Sequence, residues 1–306
     1  RVEPGQVVTV TEDRVFSRRY YRFDPKREIR LASDDEYLEA FRAHLDQAVT
    51  SQLRSNGPIG STLSSGFDSS TVTAVAARLL AAQGKRLCAF TSVPREGFNG
   101  PVPRGSHANE GAGAAALAAK FPKIDHVLIQ TVGTSPLDHL QRDTEALDRA
   151  PLNPCNMVWM DAIDQAAADR GMRVILNGAM GNMTLSYTGA EYLPALFGRG
   201  HWRRWLREVR AFKRVRPQIR WRSWLYRSLA PFLPAWLWLA MERARDGDLK
   251  WSDYSAINPA FANQIGSRQR AKKAGWDLSY RPWADGRRMR IAGLNFTDSG
   301  EHNLQA

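Results

Sequence analysis

The sequence predicts an α/β protein: a parallel sheet sandwiched by helices, followed by a mainly helical C-terminal part. Three observations predict it. Short apolar runs (Ile59 to Leu63, Leu87 to Thr91, Ile124 to Leu128, Arg173 to Leu176) alternate with longer stretches of helical period, as βαβ units do. Gly and Pro fall between these runs rather than within them, Gly60 excepted. After about residue 190 no strand pattern is clear.

Taken in order, residues 1–24 read as short strands, Gln6 to Thr11 and then Arg18 to Phe23 after a turn. Ser33 to Glu36 is a capping box. It opens a helix whose apolar side runs Leu38, Phe41, Leu45, Ala48, Val49, Leu53. Gly57-Pro58 breaks the chain ahead of the strand Ile59 to Leu63, which Gly60 weakens. The small-residue loop Ser64 to Ser70 follows. It leads into a helix with Val72, Val75, Ala76, Leu79 and Leu80 inward, ending near Gly84. Leu87 to Thr91 is the next strand, and the loop Pro94 to Ser106 precedes a helix from about Asn109 to Phe121. Then come the strand Ile124 to Leu128 and helices at Pro136 to Leu147 and Asn156 to Arg170. The strand Arg173 to Leu176 runs straight into a second loop, Asn177 to Gly189. The crossovers should be right-handed.

Composition is that of a globular protein, with 43% hydrophobic and 24% charged residues. The longest apolar run, Leu229 to Ala240, is too short to span a bilayer and contains Pro231 and Pro234. Cys88 and Cys155 fit a reducing compartment, so a cytoplasmic protein with no membrane association is expected. No Cys/His cluster has zinc spacing. Arg1 in place of Met and the polar stretch Thr297 to Ala306 are expected to be ends cut from a longer chain.

The net charge of +12 is uneven. Residues 201–250 hold 13 Lys/Arg against 4 Asp/Glu, and six of the ten Trp: 202, 205, 221, 224, 236 and 238. Basic and aromatic residues together can mark an anionic partner. No nucleic-acid motif accompanies them, so packed amphipathic helices with mostly shielded Trp rings are expected, and no nucleic-acid partner.

Ser64-Ser65-Gly66-Phe67-Asp68-Ser69-Ser70 carries the chemistry. It leaves a strand, bends on small residues and opens a helix, so backbone N–H groups and Ser hydroxyls can cradle an anion. Gly66 lets a phosphate approach the backbone. Asp68 would repel bare phosphate, which points to a divalent cation between carboxylate and pyrophosphate. A plain strand–turn–helix connection, with Asp68 and Ser69 only as caps, is the competing reading. No Gly-Lys-Ser/Thr follows, so this is not a Walker A loop.

Leu63 to Ser70 resembles the PP-loop of the N-type ATP pyrophosphatases, usually Ser-Gly-Gly-x-Asp-Ser, with Ser65 in place of the first Gly. The chain is most similar in layout to the asparagine synthetases. Arg1 to Pro25 looks like the last strands of that family's glutaminase domain. Glu110 to Ile129 resembles the helix and strand after the second sheet strand. Val174 to Gly189 stands where a second nucleotide loop, usually Ser-Gly-Glu-Gly-x-Asp-Glu, is found. The resemblance implies an adenine nucleotide alpha hydrolase-like fold. It divides the chain into a glutaminase tail at 1–25, an ATP-binding core at 26–190 and a helical remainder at 191–306. It also implies ATP and Mg²⁺, with Leu63, Thr91, Asn177 and Gly178 at or near the adenosine. Ser64, Ser65, Gly66, Phe67, Asp68, Ser69 and Ser70 would hold pyrophosphate, and Asp68 with Asn182 the metal. The implied reaction adenylates a small-molecule carboxylate, releases pyrophosphate and lets an amine attack, the amine coming from glutamine or ammonia. A homodimer is left open.

The second loop departs from the pattern. Ala179, Asn182 and Met183 stand where the family keeps Glu, Asp and Glu. Either the chain is a divergent ligase with another substrate or its ATP site has decayed; retention of Asp68, Ser69 and Ser70 favours the first. The glutaminase nucleophile is not in view. Cys88, in a core strand, reads as structural. Cys155 sits at a helix start, where a thiol pKa can fall. His126, following a strand, either touches the site or is structural, the more frequent case for a lone His. Three functions compete: an ATP-dependent amide ligase (with peptide or antibiotic cyclases as a variant), a non-catalytic nucleotide-binding homologue, and an anionic-surface binder using residues 201–250.

Overall fold

The computed structural model describes residues 2–24, 26–102, 107–148, 151, 154–246, 258–273, 278–279 and 281–293. Arg1, residues 103–106 of the first long loop and the polar end from Thr297 lie outside them. The chain divides into two compact units, one of Arg30–Tyr187 and one of Arg1–Ile29 with Thr188–Ala306.

The Arg30–Tyr187 unit holds a four-stranded parallel sheet among its described residues. Its strands are β3 (Ile59–Thr62), β4 (Leu87–Val93), β5 (Ile124–Gln130) and β6 (Val174–Leu176), in the spatial order β5-β4-β3-β6. The sheet grows outward from β3 through β4 to β5. The chain then returns to add β6 on the other side of β3. That reversal is the topological switch point, where open α/β sheets bind ligands beyond the carboxyl ends of their strands.

Alternate residues of each strand face opposite layers. On one face Ile59, Leu63, Leu87, Ala89 and Ile124 pack with Val49 of α1 (Asp34–Gln52), with Ala76, Ala77 and Leu80 of α2 (Phe67–Ala82), and with Ala114 of α3 (Gly111–Ala118). On the other, Cys88 and Phe90 meet Ile163 and Ala167 of α5 (Pro154–Asp169), which follows α4 (Leu140–Leu147). Gly60 does not interrupt β3. A Cβ there would stand 3.0 Å from the Phe90 ring, so its absence makes room for Phe90, which is fully buried.

The cap of α1 forms as its sequence requires, with Glu36 N–H donating to Ser33 Oγ at 3.2 Å. The Glu36 carboxylate accepts from the Ala32 N–H rather than from Ser33. Ser33→Ala should therefore cost about 1 kcal/mol in urea unfolding. The apolar side of α1 is buried only in its second half: Leu38 is 52% and Phe41 45% exposed. A 19-residue helix runs about 28 Å, roughly twice the length of the four-residue β3 beneath it.

In the other unit, β1 (Gln6–Val10) and β2 (Val15–Arg19) form an antiparallel hairpin. The second strand starts three residues before its expected place. The turn closes between Thr11 and Arg14, whose backbone groups bond at 2.9 Å, and this fixes the register at Val10 opposite Val15. Among its other described residues the main elements are helices: α6 (Leu193–Gly198), α7 (Trp202–Val215), α8 (Trp221–Leu229), α9 (Ala235–Asp246), α10 (Pro259–Gln264), α11 (Ser267–Lys273) and α12 (Gly286–Gly293). Trp224 is fully buried with Leu193 and Val209, and it stacks on Phe212 at 5.1 Å. Trp205 donates to Ser228 Oγ, and Trp238 to the Ser279 carbonyl.

The expectation that most of the six Trp rings are shielded fails. Trp202, Trp221 and Trp236 are 54%, 43% and 70% exposed. On α8 the buried residues are Trp224 and Ser228, while Trp221 is the first residue of the helix, a turn before Trp224, and stays exposed. No helix among the described residues is long and apolar enough to cross a membrane.

Candidate nucleotide site

The loops that leave β3 and β6 are neighbours at the switch point. Leu63 follows β3 with both backbone groups held: its N–H donates to the Phe90 carbonyl at 2.8 Å, and its carbonyl accepts from Thr91 Oγ1 at 2.7 Å. Thr91 is 1% exposed and also meets His126 Nε2 at 2.8 Å. Beneath the loop, the buried Ser61 and Thr73 hydroxyls bond at 2.8 Å and fix α2 to β3.

Ser64 folds the loop back on α2. Its N–H donates to Ser69 Oγ at 3.0 Å, its carbonyl accepts from Ser70 Oγ at 3.0 Å, and its Oγ accepts from the Gly66 N–H at 3.0 Å. The Ser64 and Ser69 hydroxyls lie 2.6 Å apart. Three of the Ser hydroxyls, those of Ser64, Ser69 and Ser70, thus bond within the loop itself. The Ser64–Ser69 contact uses one of their two protons and leaves the other to a ligand or to the Gly66 carbonyl, 3.4 Å from Ser69 Oγ.

The principal donors are backbone groups. Gly66 caps α2 in an extended conformation without a side-chain bond, and the first α2 carbonyl bond is Ser70 N–H to Gly66 at 3.2 Å. The N–H groups of Phe67, Asp68 and Ser69 therefore have no acceptor among the described residues. N–H groups so placed, with the helix dipole behind them, are able to receive an anion. Phe67 projects away from the protein, 66% exposed.

Ser65 stands where the PP-loop pattern has Gly, and it does not have positive φ. Its side chain instead lies against α3. A Cβ at Gly113 would come within 2.7 Å of Ser65 Cβ. Gly113→Ala should therefore be tolerated much better in a Ser65→Gly background than alone, which thermal unfolding of the two variants would show.

The second loop closes over the start of α2. Asn177 Oδ1 accepts from the Ala179 N–H at 3.0 Å, turning the chain so that Gly178 meets α2. A Cβ on Gly178 would stand 2.5 Å from Ser69 N and 2.9 Å from the Asp68 carbonyl carbon. Gly181 lies on the Asp68 carboxylate, where a Cβ would come within 2.6 Å of Oδ1. Between them Met180 takes φ +67°, a left-handed conformation unusual for a bulky side chain, at the second Gly of the pattern Ser-Gly-Glu-Gly-x-Asp-Glu.

Asp68 is the link between the loops. Its Oδ2 accepts from Ser186 Oγ at 3.1 Å, whereas Oδ1 is buried with no partner. An unmatched buried carboxylate oxygen is costly, and it suits a cation or a further donor. Asn182 follows Gly181 directly and is exposed, as is Ala179; Met183 is half-buried. No group of three His, Cys, Asp or Glu able to hold a metal occurs among the described residues. A cation here would have Asp68 as its acidic ligand, with nucleotide phosphate oxygens completing the shell. Mg²⁺ is commonly held that way.

At the ends of β4 and β5, against the start of α3, lies a cavity of about 470 Å³. Val93, Phe98, Leu128, Arg95, Asn109 and Gln130 are among the residues that line it. Cys88 is buried within β4, and burial pushes its thiol pKa up. Cys155 is exposed at the start of α5. A thiol reagent at pH 8 should label Cys155 promptly and Cys88 only on unfolding, as peptide mapping would show.

The asparagine synthase family model matches residues 40–279, more than three quarters of the chain. The chain belongs to the asparagine synthase family. Its parallel four-stranded sheet flanked by helices is the synthase α/β fold, and the family's chemistry is ATP-dependent amide formation. Over 151 residues the chain is 28% identical to Amidase chry2 of Gibberella zeae, a match covering 48% of this chain and 22% of that protein. The chain thus spans about a fifth of that relative's length.

For a synthase-family site, sequence reasoning missed Ser186 and Gly113, which no local pattern singles out. Gly181 was within reach, since its spacing from Gly178 spans one short turn.

Proposed function

We propose that the chain is the ATP-binding part of a ligase that adenylates a small-molecule carboxylate and passes the acyl group to an amine. The observation that carries this reading is the first turn of α2 at the switch point, whose N–H groups have no acceptor among the described residues, with Asp68 beside it. Phe67, Asp68 and Ser69 N–H groups would bind the β- and γ-phosphates. Leu63, Thr91, Asn177 and Gly178 would border the nucleoside. Asp68 and Asn182 would hold Mg²⁺, which when bound neutralises charge on the pyrophosphate.

The carboxylate oxygen would attack the α-phosphorus and expel pyrophosphate, and an amine would then displace AMP from the acyl carbon. The protein's part is to align the phosphates and exclude water. Ala179 removes a carboxylate from this region, which favours a substrate other than that of ordinary asparagine formation. A peptide or antibiotic cyclase using an internal amine fits the same loss. Residues 1–25 would be the end of a glutaminase domain supplying ammonia.

The test is pyrophosphate release from MgATP with a panel of carboxylates. Active wild-type protein supports a divergent ligase, and silence with every carboxylate supports a nucleotide-binding homologue. Asn182→Asp is nearly isosteric and adds a charged oxygen. It should lower the Mg²⁺ requirement roughly tenfold. An unchanged Mg²⁺ dependence in active protein would remove Asn182 from the site.

A further inference from the structure

His126 lies within β5, beside Thr91 of β4 in the α2-covered layer of the sheet. Thr91 has one hydroxyl proton, and the Leu63 carbonyl 2.7 Å away can only accept. That proton therefore lies between Thr91 and Leu63. The contact from His126 Nε2 to Thr91 Oγ1, 2.8 Å, must then run the other way, with Nε2–H donating. Burial lowers the His126 pKa, so the neutral ring with its proton on Nε2 is the form that fits.

A directed chain of hydrogen bonds thus runs from β5 through β4 to Leu63, the residue after β3. It ends on the last residue before the Ser64–Gly66 turn. Ser64 is clamped to Ser69 and Ser70, so a shift at Leu63 passes directly into the first turn of α2.

We propose that His126 is a positioning residue for nucleotide binding, acting through Thr91 on the Leu63 carbonyl to aim the loop whose amides receive the phosphates. The inference rests on the nucleotide reading of that loop.

Calorimetric titration of the full chain with MgATP tests it, under conditions where circular dichroism shows each variant folded. His126→Leu and Thr91→Val should each weaken binding roughly tenfold, about the worth of one buried hydrogen bond. The double variant should be no weaker than either single one. His126→Gln, whose Nε2–H₂ can reach the same oxygen, should bind nearly as wild type. Wild-type affinity in His126→Leu, multiplying losses in the double variant, or no rescue by Gln would each overturn the inference. Wild-type protein that fails to bind MgATP would instead overturn the nucleotide reading, and this inference with it.

Discussion

Asp68→Ala should weaken MgATP binding by about 2–4 kcal/mol, as expected for deleting one charged partner of a metal–phosphate site. The geometry also supplies a rival explanation, because Asp68 ties α2 to the second loop through Ser186. Two further variants separate the roles. Asp68→Asn can keep the bond from Ser186 but loses the charge, so it should bind MgATP almost as poorly as Ala. Ser186→Ala loses the tie but keeps the charge, so its MgATP affinity should fall by no more than about 1 kcal/mol. Calorimetry giving the opposite order, Ser186→Ala poor and Asp68→Asn normal, would make Asp68 a structural strut.

Gly178→Ala should be the most damaging single-methyl change in the site. The new Cβ would meet backbone, 2.5 Å from Ser69 N, and no side chain can swing aside to admit it. The loop must then lift from α2, at a cost of about 1–3 kcal/mol in stability. It would also carry Gly181 off the Asp68 carboxylate, so MgATP affinity should fall with stability. Met180→Gly should act in the other direction. Relief of a left-handed bulky residue is worth about 1–2 kcal/mol, partly offset by a more flexible unfolded chain. Urea unfolding of both variants would show the two signs.

Local chemistry was legible in the sequence because its partners are near neighbours. The cap at Ser33, the run β3–loop–α2 and the strands β4 and β5 each follow from residues adjacent in the chain. What was not legible depends on distant partners. Asp68 finds Ser186 across 118 positions, and Ser65 finds Gly113 only because α3 packs beside the loop. The inward side of α1 was read correctly in direction and not in extent, since periodicity carries no information about where the neighbouring sheet stops. The Trp-rich helices misled in a similar way. Helical spacing put Trp221 and Trp224 on one side of α8, yet the turn between them is enough to bury one fully and leave the other 43% exposed.

In the function proposed, the first turn of α2 receives the phosphates of MgATP. Amide resonances report it directly, because a phosphate oxygen accepting from an N–H moves that N–H alone by far more than its surroundings. In a titration of the ¹⁵N-labelled chain with MgATP, the Phe67, Asp68 and Ser69 amides should show the largest downfield shifts and saturate together. The same three should respond to magnesium pyrophosphate and barely to adenosine. Unmoved Phe67, Asp68 and Ser69 amides at saturating MgATP, with shifts confined elsewhere, would put the phosphates somewhere other than the first turn of α2.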